Sequence, residues 1–218
     1  MRTFLVSLLI LFSCQAKGQL LFNFTWKSKP ISLTRYYPLG EKDSIQFTDL
    51  KCYLSNIELK GKGNKDYQLA SAVYLIDAED STSFVLDRSI DTKNFKSISF
   101  TFGLDSIINT SGDLEGDLDP ILGMYWAWNT GYIHCKIVGH SSLVHTPSHL
   151  FDFHIGGYRK PNATYFKLEL PLTSSALELD LYLLFNEFLN LNLLHQLVVP
   201  GKLAFEIATV LKSSIRLK

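Results

Sequence analysis

Four aromatic rings within eight residues, Tyr125, Trp126, Trp128 and Tyr132, constrain this chain more than any other feature. Rings of this size bury about 150–250 Å² each. A stretch holding two of the chain's three tryptophans therefore has to find a covered place. Asp119-Pro120, Gly123 and Gly131 punctuate the stretch as turns, while Tyr132 to Val138 has the composition of a strand. The expected outcome is an aromatic-lined turn feeding a buried strand, with Trp126, Trp128 and Tyr132 in the core.

The rest of the chain carries the periods of short strands. Leu20, Phe22, Phe24 and Trp26 alternate onto one face, and Lys29-Pro30 ends that run. Arg35 to Gly40 is a turn-rich link. Ser44 to Leu50 and Cys52 to Leu59 read as extended segments, followed by a hairpin-like turn at Gly61-Lys62-Gly63-Asn64. Ala72 to Asp77 and Phe95 to Leu104 read as further strands, with Phe95, Ile98, Phe100 and Phe102 as core candidates. Thr164 to Leu170 and Leu177 to Leu183 alternate most cleanly, so each is predicted as a strand with one wet face. After Pro200-Gly201, Leu203, Ile207, Val210 and Leu211 recur at helical spacing. The fold predicted is all-β: a single antiparallel β-sandwich with a short C-terminal helix. At 218 residues and 46% hydrophobic content, one domain can bury a sizeable core.

Residues 1–18 read as a secretory signal peptide, leaving 19–218 as the folded domain. Arg2 supplies the positive start, Phe4 to Phe12 the apolar run, and Ala16-Lys17-Gly18 a small-x-small cleavage site before Gln19. The run falls short of the roughly 20 residues that span a bilayer, so no transmembrane segment is expected after signal removal. Cys14 also permits lipoprotein processing, which the bulky Phe12 disfavours. The expectation is export, to the periplasm or the outer membrane. Loss of Cys14 leaves Cys52 and Cys135, both in predicted strands, in a compartment where disulfides persist. A bridge between them and two separate buried thiols both remain open, whereas their spacing excludes a compact cysteine-based zinc site.

Charge and motifs exclude several function classes. Twenty-one basic residues balance 21 acidic ones, so no overall field favours nucleic acid. No nucleophile elbow, P-loop, dinucleotide fingerprint or HExxH occurs, which disfavours an enzyme. Asp113, Glu115, Asp117 and Asp119 offer four carboxylates, yet their spacing departs from an EF-hand and reads as a solvated acidic loop. His140, His145 and His149 lie in a loop-like segment. His154 differs: it follows Phe151 and Phe153 in alternation and precedes Gly156-Gly157, where the backbone can leave room for an ion. Neutral imidazole suits copper, which binds nitrogen sites more strongly than other divalent first-row ions.

Two blocks carry a resemblance. Asp117 to Gly139 reads DLDPxxGMYWAWxxGYIxxKIxG, and Phe151 to Tyr158 reads FDFHIGGY. Weaker matches lie at Leu50 to Ile57, Tyr74 to Ala78 and Phe100 to Ser106. Together they resemble the MbnP-like, methanobactin-associated copper-binding proteins, over most of the chain after the leader. The resemblance implies copper as ligand, in acquisition or handling, with His154 the leading ligand candidate and His195 and His134 behind it. It also implies that a tryptophan, Trp126 or Trp128, is oxidised to kynurenine by a di-haem peroxidase partner of the MauG type, creating new ligand groups. Two departures stand out. Members of that family often carry a copper-binding histidine two residues after the first-strand phenylalanine, where this chain has Trp26. A methionine shortly after His195 is replaced by Val198 and Val199. The alternative reading is a metal-free envelope β-sandwich interaction module in which Trp26, Trp126 and Trp128 only fill the core.

Overall fold

A computed structural model describes residues 18–63, 65–126, 131–190 and 197–218. The principal elements are β1 (Leu20–Trp26), β2 (Asp43–Gly61), β3 (Val73–Asp77), β4 (Phe95–Phe102), β5 (Gly131–Ser141), β6 (Leu150–Gly156), β7 (Phe166–Pro171), β8 (Ala176–Asp180), α1 (Leu181–Asn190), α2 (Lys202–Ser214) and β9 (Ile215–Leu217). The fold is mostly β, in two curled sheets.

The larger sheet is built on β2, where the two extended segments expected from sequence join into one strand of 19 residues. One edge of β2 pairs with β5 over Ile45–Cys52 and then with β4 over Leu54–Gly61. Its other edge pairs in turn with Tyr36–Leu39, β3 and Tyr67–Gln68. A strand this long keeps one face on the core only by correcting its phase. Phe47, Leu50, Cys52, Leu54, Ile57 and Leu59 all point into the main core. Their spacing stretches from two to three where the register shifts, opposite Val138/Gly139 and between Ser55 and Glu58. An extra residue at each place restores the alternation, and the second holds Asn56 at a φ of 52°.

The smaller sheet runs β9-β8-β1 and then Lys29–Pro30, with Val85–Asp87 also against β1. Here the antiparallel expectation is corrected. β1 pairs parallel with β8, and β6 pairs parallel with Leu197–Val198, so both sheets are mixed. Local alternation is the same for both directions and cannot set them. The tight turn after β1 is legible in its backbone: Lys27 and Ser28 both have positive φ, the pattern of a two-residue type I′ hairpin. The Asp180 carboxylate accepts from both of their amides, at 3.1 and 3.3 Å.

A second correction concerns Leu177 to Leu183. The strand stops at Asp180, and Glu178 and Asp180 are buried rather than wet, paired with Arg216 of β9 at 2.6 and 2.7 Å. Asp180 also accepts from the Tyr182 amide at 3.0 Å, starting α1 as an N-terminal cap does. α1 buries Leu181, Leu184, Phe185 and Phe188, one face at helical spacing. Phe185 packs on Phe47 and Phe151 of the larger sheet, with ring centroids 5.4 and 5.5 Å away. The helix foreseen near the C-terminus is α2. It buries Ala204, Ile207, Ala208, Val210, Leu211 and Ser214. Among the described residues no helix is long and apolar enough to cross a membrane.

The larger sheet is covered on both faces. The main core joins it to β1, β8, α1 and α2. The opposite face carries a smaller cluster of Tyr53, Val73, Leu75, Leu104, Leu118, Met124, Trp126, Tyr132 and Ile133. A bulge in β5 divides the two: Ile133 and Cys135 pair with successive residues Gly156 and Ile155 of β6, leaving His134 extra. Ile133 thus joins the smaller cluster while Cys135 and Ile137 join the main core.

Candidate functional site

The two sequence blocks meet where Tyr125–Trp126 adds to β5 and β5 pairs with β6. Trp126 reaches across the Gly156 backbone. A Cβ there would lie 2.6 and 2.7 Å from Trp126 Cη2 and Cζ3, and 2.6 Å from the Tyr132 carbonyl oxygen. Glycine is what allows the indole this close. The ring is buried, and its centroid lies 6.4 Å from that of His154, tilted by 47°.

His154 and Asp152 are two apart on β6 and so share a face. His154 Nε2 stands 2.9 Å from Asp152 Oδ1. The separation suits an ion pair, but the alignment is not that of a hydrogen bond: both atoms are buried and neither makes one. Across the β5–β6 register His154 faces Lys136, whose Nζ is 2.7 Å from Asp49 Oδ2. On the next strands Lys51 Nζ pairs with Asp77 Oδ2 at 2.9 Å. Burial lowers the His154 pKa, opposed by Asp152 and Asp49 and assisted by Lys136. A buried imidazole nitrogen that makes no hydrogen bond, beside a buried carboxylate oxygen that makes none, is a donor pair suited to a metal ion. Among the described residues no three His, Cys, Asp or Glu side chains gather closely enough to hold one.

His134 lives differently. It is fully buried at the bulge, and Asn109 Nδ2 donates to its Nε2 at 3.0 Å. The proton therefore sits on Nδ1, which donates to Thr164 Oγ1 at 2.9 Å. Thr164 in turn donates to the Gly157 carbonyl, and Asn109 Oδ1 accepts from the Tyr132 amide. Asn109 is delivered by the turn Ser106–Asn109, capped by the Asp105 carboxylate. Gly103, at a φ of 83°, makes room: a Cβ would sit 2.8 Å from the imidazole. Burial without a charged partner pushes the His134 pKa down to about 3. With both nitrogens engaged, this imidazole offers no lone pair.

The remaining candidates scatter. His140 Nδ1 donates to the Ser148 carbonyl and His149 Nδ1 to the Val144 carbonyl, closing their own loop. Trp26 lies in the main core against Tyr37, Phe47 and Tyr182. His195 and Trp128 lie outside the described residues. Tyr132 is buried as expected, its hydroxyl 2.9 Å from the carbonyls of Asp113 and Leu118. The acidic loop, though mostly exposed, is fastened down: Asp117 Oδ2 accepts from the Leu75 amide, and the Tyr53 hydroxyl donates to the Asp117 carbonyl. Asp152 and the Lys136–Asp49 pair escaped sequence reasoning. The spacing of Asp152 from His154 within FDFHIGG was the available signal.

Beside Trp126 a cleft of about 400 Å³ opens between Tyr132, Gly157, Tyr158, Arg159 and Pro200. Arg159 lies over the Tyr158 ring at 5.4 Å. The cleft continues the face that carries Trp126, so the two blocks border one depression.

Comparison with known proteins converges on one group. A family model described as MbnP matches residues 15–198. Among solved structures, MbnP from Methylosinus trichosporium aligns with a TM-score of 0.57 and 16% identity, covering 77% of this chain and 76% of that one. No curated protein matches the sequence.

Proposed function

This chain belongs to the MbnP family, and we propose that it is an exported copper-binding protein used in copper acquisition or handling. The observation that carries this is His154: a buried Nε2 without a hydrogen bond, 2.9 Å from Asp152 Oδ1 and next to Trp126. Copper is the cargo. His154 and Asp152 would hold it, nitrogen first, and His195 is a further ligand candidate. His134, locked by Asn109 and Thr164, has no part in the proposal.

Oxidation of Trp126 to kynurenine by a di-haem peroxidase partner of the MauG type would supply additional ligand groups beside His154; Trp128 is the other candidate for that change. The cleft next to Trp126 supports access from one side. The two sheets form a single sandwich around the main core, and residues 1–18 act as the export signal. Mass spectrometry of the mature protein then finds Gln19 at the N-terminus; a lipid-modified Cys14 would instead mark a lipoprotein.

The test is a titration of wild type and His154→Ala with Cu(I) and Cu(II) against a competing chelator. Loss of the imidazole should weaken binding by more than about tenfold, the level that losing an outer partner alone can cost. Equal affinities would remove His154 from the site. A second reading, a metal-free envelope interaction module, draws on the burial of Trp26 in the main core and the engaged nitrogens of His134. It gains if wild type binds no stoichiometric copper even after coexpression with a di-haem partner.

A further inference from the structure

Cys52 and Cys135 have no role in the copper reading, yet β2 and β5 set them directly opposite one another. Both point into the main core, both are fully buried, and both are free thiols in this structure. Directly opposed residues on antiparallel strands have Cβ atoms about 4.5–5.5 Å apart, and a disulfide needs about 3.5–4.5 Å. The approach required is on the order of 1 Å. Cys135 follows the His134 bulge, where strands twist more strongly and such an adjustment is easiest.

We propose that Cys52 and Cys135 form a cross-strand disulfide when the chain folds in an oxidising compartment, fastening β5 to β2 beneath the Trp126–His154 face. The reaction is thiol–disulfide exchange with a disulfide oxidant. The S–S bond of the oxidant breaks, the Cys52–Cys135 bond forms, and both protons and both electrons leave with the two thiols of the reduced oxidant. Burial pushes both thiols upward, and Cys135 adds to the shift at Cys52. The thiolate that must attack is therefore scarce once the core has closed, which places the exchange before β2 and β5 finish pairing. The same burial disfavours the pair as a soft-metal site, which would need both sulfurs deprotonated.

The inference rests on export for its setting, and its test does not involve copper. Mature protein, residues 19–218, is refolded from denaturant with a reduced and oxidised glutathione couple, or with dithiothreitol. Each product is then unfolded, treated with N-ethylmaleimide and mapped by peptide mass spectrometry. After glutathione the two cysteines should escape alkylation and appear in one linked peptide; after dithiothreitol both should be alkylated. Reduction should also lower the unfolding midpoint of wild type and leave that of a Cys52→Ala/Cys135→Ala variant unmoved. Alkylation of both residues after glutathione, separate glutathione adducts, or a midpoint indifferent to reduction would overturn the bridge. Failure of His154→Ala to change copper affinity would sink the copper reading and leave the bridge untouched.

Discussion

The pockets around His134 and His154 lie on adjacent strands and treat an imidazole in opposite ways. At His134 every polar atom has a partner, and the ring acts as a strut between β5, the Ser106–Asn109 turn and Thr164. At His154 the Asp152 oxygen is in reach but out of line, so Nε2 makes no hydrogen bond. Burial lowers both pKa values. The direction of the pKa shift therefore does not tell the two rings apart; hydrogen-bond completeness does.

The largest effect expected from this contrast is on acid stability. The folded His134 pKa, about 3, lies below its ordinary 6.5, so on acidification the unfolded chain takes up a proton that the folded protein refuses. Stability is thus fully present above pH 6.5 and is lost as pH falls toward 3, at about 1.4 kcal/mol per pH unit. Urea unfolding across that window should fall more steeply for wild type than for His134→Gln. Parallel profiles would contradict the neutral, locked ring. Next in size, His134→Leu leaves Asn109 Nδ2 without its acceptor in the core and takes from Thr164 Oγ1 the bond it accepts, a cost of about 3 kcal/mol at neutral pH. Copper affinity per folded molecule should stay unchanged; a loss as large as that of His154→Ala would erase the distinction between the two pockets.

Gly156→Ala tests the other side of the comparison. The new methyl group must displace the Trp126 ring or part β6 from β5, costing about 1–3 kcal/mol. Tryptophan emission should shift to the red as the indole gains water. An unshifted spectrum with unchanged stability would mean that the ring does not depend on Gly156. The smallest effect sharpens the electrostatics. Lys136 opposes protonation of His154 and neutralises Asp49, which favours it. Lys136→Met should therefore raise the His154 pKa in an NMR titration, and a fall would place the lysine charge elsewhere.

Much of the β-structure was legible because residues two apart share a face, as in β1 with Leu20, Phe22 and Phe24. Parallel pairing was not, since β1 and β8 are distant in sequence and carry no turn to declare their direction. α1 was hidden by overlap: Leu177 to Leu183 alternates like a strand, while Leu181, Leu184, Phe185 and Phe188, behind Asp180, already spell a capped helix. At the site, the blocks pointed to His154 and Trp126 together. The bulge that withdraws His134 was invisible, because an extra residue shows only against the partner strand.

The position of β1 has a temporal consequence. The first described strand hydrogen-bonds to Ala176–Asp180, which in turn pairs with Ile215–Leu217 near the chain's end. The smaller sheet thus cannot close until residues 215–217 have been made, and its closure must bring β1 to a strand far from it in sequence, a slow kind of contact to form. Until then β1 has only Lys29–Pro30 and Val85–Asp87 to pair with, and the edge that β8 will take stays open.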